Sequence, residues 1–169
     1  MTVPNIITLI RFLIIPFYTY YLIRGYFLYS LILFIISALS DILDGYLARK
    51  LNQTSELGKI LDPLSDKLII LISLIYFGSI RYFSLIGVIV FILKELIMLV
   101  VGLVFLIKKV EIISSRIFGK LATVFTSISV IMGLLRISFA NIVFLIGLLF
   151  SLLAGLDYLF IYLKKLRVF

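Results

Sequence analysis

Four aspartates stand at spacings that could build a single metal site in a chain that is otherwise strongly apolar. Asp41, Asp44, Asp62 and Asp66 are half of the eight acidic residues. A carboxylate inside a lipid bilayer is energetically costly, so acidic residues in membrane segments are functional-site candidates. Because four neighbouring carboxylates repel one another, cations must neutralise them. One or two divalent metal ions would do so.

The chemistry is narrowed by the residue types that the chain lacks. It contains no cysteine and no histidine, so a metal site must be built from oxygen ligands, as Mg²⁺, Mn²⁺ and Ca²⁺ prefer. Two such ions about 3.5–4 Å apart would balance four aspartates and leave coordination positions for a substrate phosphate. Asp66 could instead take a proton from an attacking hydroxyl group.

Helical spacing explains how the acidic residues could converge. Asp41 and Asp44 share one helix face with Gly45 and Ala48, and Asp62 and Asp66 share one face of the next helix. Small residues in this segment leave room for a ligand to approach the backbone. Two cations beside the carboxylates suit a phosphate-bearing substrate. The small residues are Gly45, Ala48 and Gly58, and the cations are Arg49 and Lys59.

These residues could instead have structural roles, or they could belong to a protein with a different class of function. Asp62 precedes Pro63 and could be a simple helix N-cap, and small residues in membrane helices often serve helix packing. A divalent-cation transporter would also need acidic residues, but it should spread them across the bilayer, whereas these cluster at one end. A purely structural membrane protein leaves the cluster unexplained.

Composition defines the elements that must hold these residues. The chain has 169 residues, of which 64% are hydrophobic, well above the average for soluble domains. We therefore predict an all-α integral membrane protein with a single membrane domain over residues 1–169. Each of six apolar segments is long enough to cross a bilayer. The predicted spans are 6–23, 27–48, 61–79, 82–107, 119–136 and 140–163.

Basic residues predict the orientation of these spans. Most of them fall on the side that carries both termini, the 2–3 loop and the 4–5 loop, which the positive-inside rule assigns to the cytoplasm of a multi-pass cell-membrane protein. Three, namely Arg24, Arg81 and Arg136, fall on the opposite side. The acidic residues therefore open to the cytoplasm. The net charge of +8 suits anionic lipid headgroups or phosphorylated substrates, and we expect no nucleic-acid partner.

Read as one pattern, the segment is Asp41-x2-Asp44-Gly45-x2-Ala48-Arg49-x8-Gly58-x3-Asp62-x3-Asp66. At every position it resembles the signature of the CDP-alcohol phosphatidyltransferase family. That resemblance implies a six-helix membrane enzyme, usually a homodimer, which transfers a phosphatidyl group from a CDP-linked lipid to an alcohol and releases CMP. It implies two divalent cations, Mg²⁺ or Mn²⁺, held by the four aspartates, with Asp66 as the base that activates the acceptor.

Further segments resemble the members of the family that use glycerol 3-phosphate as the acceptor. They are Pro4-Asn5-Ile6-Ile7-Thr8-x2-Arg11, the stretch from Leu57 to Lys67, Lys94-Glu95-Leu96 and Gly119-Lys120-x2-Thr123. The resemblance implies that CDP-diacylglycerol contacts Asn5, Thr8, Asp44, Gly45, Ala48, Arg49 and Gly58.

The acceptor phosphate needs cations, and the candidates are Lys59, Lys94, Arg116 and Lys120. For Lys94 an ion pair with Glu95 competes with this role. The alternative within the family is an enzyme that uses phosphatidylglycerol as the acceptor. In either case the lipid substrate requires lateral access from the bilayer, so we expect a groove between helices.

Overall fold

A computed structural model describes the backbone of residues 3–51, 56–107 and 117–166, and the side chains of residues 10–40, 67–102 and 117–160. Within these ranges the chain forms six α-helices, as predicted. They are α1 (Val3–Ile23), α2 (Phe27–Leu51), α3 (Glu56–Ser79), α4 (Leu85–Ile107), α5 (Ile117–Leu134) and α6 (Ala140–Leu166).

The start of α3 corrects one interpretation of Asp62. This helix begins at Glu56, five residues before the span predicted to start at 61, so Asp62 lies inside the helix and is not its N-cap. The spans were predicted from apolar residues, but helix formation depends on backbone hydrogen bonding rather than on hydrophobicity. The first turns of α3 are therefore helical, although they are too polar to be predicted as part of a membrane span.

Hydropathy supports the membrane assignment over the described residues. Three segments are long and apolar enough to cross a membrane: Leu85–Gly102, Ile117–Leu134 and Ala140–Phe160. The first three helices contribute shorter apolar stretches, which are Ile10–Ile23, Phe27–Ser40 and Lys67–Ser79. Many large apolar side chains are exposed on the six helices, among them Ile86 on α4 and Phe160 on α6, as expected where lipid is the solvent. The chain is a multi-pass membrane protein.

Three helices end in the same way, with a residue of positive φ after the last turn. Gly25 (φ 76°) ends α1, and Arg81 (φ 57°) and Arg136 (φ 58°) follow α3 and α5. In each turn the next N–H donates to a carbonyl five residues back, as Tyr26 does to Tyr21 at 2.9 Å, which is the Schellman arrangement. The two arginines also place positive charge at helix C-termini. These basic residues on the predicted opposite side therefore have structural roles.

The chain forms two compact units. The first unit comprises Met1–Tyr76 with Leu134–Arg136, and the second comprises Phe77–Gly133 with Ile137–Phe169. In the first unit α1 packs against α2 across the short turn at Arg24–Tyr26, so the two helices are antiparallel. The Arg136 guanidinium lies 4.1 Å from the centre of the Phe27 ring. The prediction of one domain over the whole chain stays a prediction.

Aromatic stacking and a capped loop organise the second unit, in which α4 packs on α6. Phe83 stacks on Phe144 with ring centres 5.1 Å apart and planes 13° apart. The Ser84 backbone N–H donates to Asn141 Oδ1 at 2.8 Å, which joins the α3–α4 loop to the start of α6. These contacts fix one end of the second unit.

Candidate functional site

A buried layer of three side chains sets the register of the first unit. The Tyr18 ring of α1 lies 6.3 Å from the Phe34 ring of α2, measured between centres. The Tyr18 hydroxyl lies 2.5 Å from Ser73 Oγ of α3. Because Ser73 donates its own proton to the Ile69 carbonyl, Tyr18 is the donor in this bond. All three side chains are buried, so this layer shows which faces of α1, α2 and α3 point inward.

The inward faces of α2 and α3 lead to the aspartates. On α2 the buried residues Ser30, Phe34 and Ser37 follow spacings of four and three, and the next two steps along the continuous helix are Asp41 and Asp44. On α3 the buried Ile69 and Ser73 are preceded, at spacings of three and four, by Asp66 and Asp62. Each pair therefore continues the spacing of the buried residues on its helix.

The four aspartates also share one end of the first unit. The starts of α1 and α2 lie at opposite ends of the first unit, and Tyr18 of α1 bonds Ser73 of α3. Three residues later on α3, the Tyr76 ring lies 6.3 Å from the Phe27 ring at the start of α2, which is beside the end of α1. Helix α3 therefore runs parallel to α1. Asp41 lies seven residues beyond Phe34, and Asp66 lies seven before Ser73. Seven residues are about two helical turns, so both residues fall in one layer. Asp44 and Asp62 fall one turn further on.

The predicted metal ligands and nucleotide contacts lie on helical backbone, but their side chains are outside the described residues. Because the chain has no histidine or cysteine, a metal site built from these four carboxylates would be all-oxygen, which would suit Mg²⁺ or Mn²⁺. The positions are Asn5 and Thr8 in α1, Asp41, Asp44, Gly45, Ala48 and Arg49 in α2, and Gly58, Lys59, Asp62 and Asp66 in α3.

Lys94 makes its polar contacts within the second unit. Its Nζ contacts the Glu95 carboxylate and donates to Ser151 Oγ of α6 at 2.8 Å. The Lys94 stem also packs at Gly155, where an added Cβ would lie 3.7 Å from it. This arrangement is the ion pair that competes with phosphate binding, and it adds a polar link between α4 and α6. The predicted contact of Lys94 with the acceptor phosphate stays a prediction.

The two remaining acceptor candidates of the second unit are Lys120 and Arg116. Lys120 lies in the first turns of α5 and is exposed, so its ammonium group is accessible to a ligand. Arg116 lies outside the described residues. A phosphate-binding role for the pair stays a prediction.

The first unit carries an open apolar groove of about 340 Å³ between α1 and α2. A groove between helices was expected for lateral access of the lipid substrate. The lining residues are Ile10, Leu13, Ile14, Phe17, Tyr21 and Leu33. From Ile10 to Tyr21 the groove extends about 16 Å along α1, which is about half the hydrocarbon thickness of a bilayer.

One buried cation was missed as a site candidate in the sequence. Arg11 is 0% exposed and lies in α1 of the first unit, whereas in the sequence it is only one position of the Pro4–Arg11 segment, with no role of its own. The signal was available, because Arg11 interrupts an otherwise apolar run from Ile6 to Ile23 apart from Thr8 and Thr19. An arginine within such a run is a candidate functional residue.

Sequence comparison identifies the class of protein to which this architecture belongs. The profile of the CDP-alcohol phosphatidyltransferase family matches residues 1–153. The chain belongs to this family.

Curated relatives carry two kinds of name. The chain is 45% identical over 84 residues to a CDP-diacylglycerol–glycerol-3-phosphate 3-phosphatidyltransferase of Aquifex aeolicus, covering 50% of this chain and 46% of the relative. It is 42% identical over 105 residues to a protein of the same name from Wigglesworthia glossinidia brevipalpis, covering 58% and 57%. It is 43% identical over 88 residues to a human cardiolipin synthase (CMP-forming), covering 52% and 28%. The chain thus matches about half the length, or less, of these relatives.

Proposed function

We propose that this protein transfers a phosphatidyl group from CDP-diacylglycerol to glycerol 3-phosphate, giving phosphatidylglycerophosphate and CMP. The observation that carries the proposal is the complete Asp41–Asp66 pattern in the sequence, with its first pair of aspartates on α2 and its second pair on α3. The names and identities of the bacterial relatives support the choice of acceptor. The cytoplasmic membrane, with the site facing the cytoplasm, and a homodimeric assembly belong to the same proposal.

In the proposed site the carboxylates of Asp41, Asp44, Asp62 and Asp66 hold two divalent cations, Mg²⁺ or Mn²⁺. Cations held by these carboxylates would supply Lewis acidity at the diphosphate and would stabilise negative charge on CMP as it leaves. The helical backbone at Gly45, Ala48 and Gly58 lets the nucleotide approach closely. Arg49 balances charge on the diphosphate.

Asp66 acts as the base. Its carboxylate accepts the proton of the acceptor hydroxyl, whose oxygen attacks the phosphorus on the lipid side of the diphosphate. A new O–P bond forms, the bond between this phosphorus and the oxygen bridging to CMP breaks, and CMP leaves with the electron pair. The residues that hold the acceptor beside Asp66 contribute by orientation, and the cations Lys59, Arg116 and Lys120 are the candidates for binding its phosphate.

A second candidate acceptor is phosphatidylglycerol, which would make the protein a CDP-alcohol-type cardiolipin synthase. The 43% identity to the human cardiolipin synthase supports phosphatidylglycerol as the second candidate. Purified protein supplied with CDP-diacylglycerol and each alcohol in turn separates the two candidates by product analysis. We expect product only with glycerol 3-phosphate, and CMP release that stops when Mg²⁺ and Mn²⁺ are chelated. Product only with phosphatidylglycerol would overturn the preferred acceptor, and ion flux without CMP release would instead indicate a transporter.

We expect Lys120→Ala to raise the KM for glycerol 3-phosphate by about tenfold or more, because a hydrogen bond to a charged group contributes about 1.5 kcal/mol or more. The KM for CDP-diacylglycerol should change little. Arg24→Ala is the matched control, since it removes a basic residue from the predicted opposite side of the membrane. Equal increases in both KM values would argue against a phosphate contact at Lys120.

The groove between α1 and α2 supports a place for one acyl chain of the CDP-lipid. We expect Leu13→Trp, which fills the groove, to raise the KM for long-chain CDP-diacylglycerol but not for a water-soluble short-chain analogue. Leu13 is 58% exposed, so the larger ring can be accommodated without disturbing the core. Leu28→Trp is the control, because Leu28 is similarly exposed on α2 and does not line the groove. An unchanged chain-length preference in Leu13→Trp would exclude this groove.

A further inference from the structure

Arg11 is a charged group in a fully enclosed position. Its side chain is 0% exposed, and an arginine guanidinium stays protonated under all ordinary conditions. Burying a charge without a counter-charge is strongly unfavourable. The chain therefore needs acidic groups close to Arg11 in the folded first unit.

Register identifies those acidic groups. The reference is the buried layer of Tyr18, Phe34 and Ser73, in which Tyr18 contacts both of the other side chains. Arg11 lies seven residues before Tyr18 on α1. Because α3 runs parallel to α1, the corresponding step on α3 leads from Ser73 to Asp66.

The antiparallel helix α2 gives a second partner in the same layer. On α2 the same seven-residue step away from the Tyr18 layer runs forward along the chain, from Phe34 to Asp41. Seven residues return to nearly the same side of a helix, about 10 Å along its axis. Arg11, Asp41 and Asp66 thus hold corresponding positions along their helices, two turns from the Tyr18 layer and in the spacing of the buried residues.

We infer that Arg11 is a positioning residue that holds the carboxylates of Asp41 and Asp66, the first and last acidic residues of the motif. The guanidinium group offers several N–H donors in a rigid fork, so it can bond both carboxylates and fix their orientation. It also reduces the repulsion within the acidic cluster before cations bind. The part played in turnover rests on the proposed function, whereas the pairing of the side chains does not.

Double-mutant cycles test the pairing without any assay of activity. Arg11→Met, Asp66→Asn and Asp41→Asn are made singly and as the Arg11 pairs, and melting temperatures are measured in detergent with chelator present. If the groups are partners, each double variant should melt no lower than the worse of its single variants, because removal of one partner already forfeits the interaction. Additive losses in both cycles would overturn the inference. If Arg11→Met does not fold, the same cycles are run with Arg11→Lys.

The Tyr18 layer supplies matched controls for these cycles. Tyr18→Phe with Ser73→Ala removes both ends of an observed hydrogen bond and should show the same non-additive pattern. Tyr18→Phe with Asp66→Asn combines groups two helical turns apart and should be additive. A coupled result in this second control would mean that the measurement reports general loosening, and would count against a specific partnership of Arg11.

A kinetic measurement tests the positioning role. We expect folded Arg11→Met to lose about 100-fold in turnover, because a small misplacement of a catalytic group costs about that much. The Mg²⁺ concentration for half-maximal activity should stay the same or fall, since a positive charge near the carboxylates has been removed. Turnover within a few-fold of wild type would overturn the role. Wild-type protein that forms no product with any alcohol would instead refute the proposed function and leave the stability cycles to decide the pairing.

Discussion

Asp66→Asn is expected to abolish phosphatidyl transfer while leaving the protein folded. Asparagine has the size of aspartate but cannot accept the proton of the acceptor hydroxyl. General-base catalysis contributes about 10²–10⁴-fold, so CMP release should fall by about 10³-fold or more. On the inferred pairing of Asp66 with the buried Arg11, a moderate decrease in melting temperature should accompany the loss. CMP release with saturating CDP-diacylglycerol and glycerol 3-phosphate is the measurement.

A metal titration and a second aspartate-to-asparagine variant test whether the loss of activity is specific to the role of Asp66 as the base. Mn²⁺ binding followed by electron paramagnetic resonance should be weakened but still detectable in Asp66→Asn, because three carboxylates remain. Asp157→Asn in α6 of the second unit removes an acidic group outside the proposed site and should retain turnover. Near-normal activity of Asp66→Asn would show that another group is the base.

The largest expected effect on stability is that of Gly147→Val. Helices α5 and α6 approach so closely here that a Cβ on Gly147 would lie 2.9 Å from Thr126 Oγ1 and 3.0 Å from the Thr126 backbone nitrogen. The hydroxyl can rotate away, but the backbone nitrogen of the buried Thr126 is held within α5 and cannot. Overpacking a tight interface costs about 1–3 kcal/mol or more. We therefore expect a much lower yield of folded protein and a lower melting temperature in detergent.

Gly102 provides a control for the intrinsic effect of replacing glycine in a membrane helix. It lies in α4, and among the described residues nothing beyond the neighbouring backbone of α4 lies within 4 Å of a Cβ placed on it. Gly102→Val should therefore melt close to wild type, since the substitution meets open space. If Gly147→Val were as stable as Gly102→Val, the close approach of α5 and α6 at this point would be wrong.

Local patterns were sufficient to predict the helices and the acidic faces. Apolar composition and segment length predicted six helices, and the spacings within Asp41–Asp44 and Asp62–Asp66 predicted two shared faces. These features depend on residues within a few turns of one another, so the sequence contains them directly. The start of α3 was predicted five residues late for the same reason, because hydropathy reports membrane residence and not backbone hydrogen bonding.

Tertiary structure decided how the faces meet, because relative register depends on contacts between residues far apart in the chain. The hydrogen bond between Tyr18 and Ser73 joins residues 55 positions apart and sets the register between α1 and α3, on which the inferred pairing of Arg11 rests. The bond from Lys94 to Ser151 spans 57 positions and engages a cation that the sequence offered to the substrate. The sequence by itself thus determined the helices and the spacing of the carboxylates along them, while packing determined the register between helices and the partners of Lys94 within the second unit.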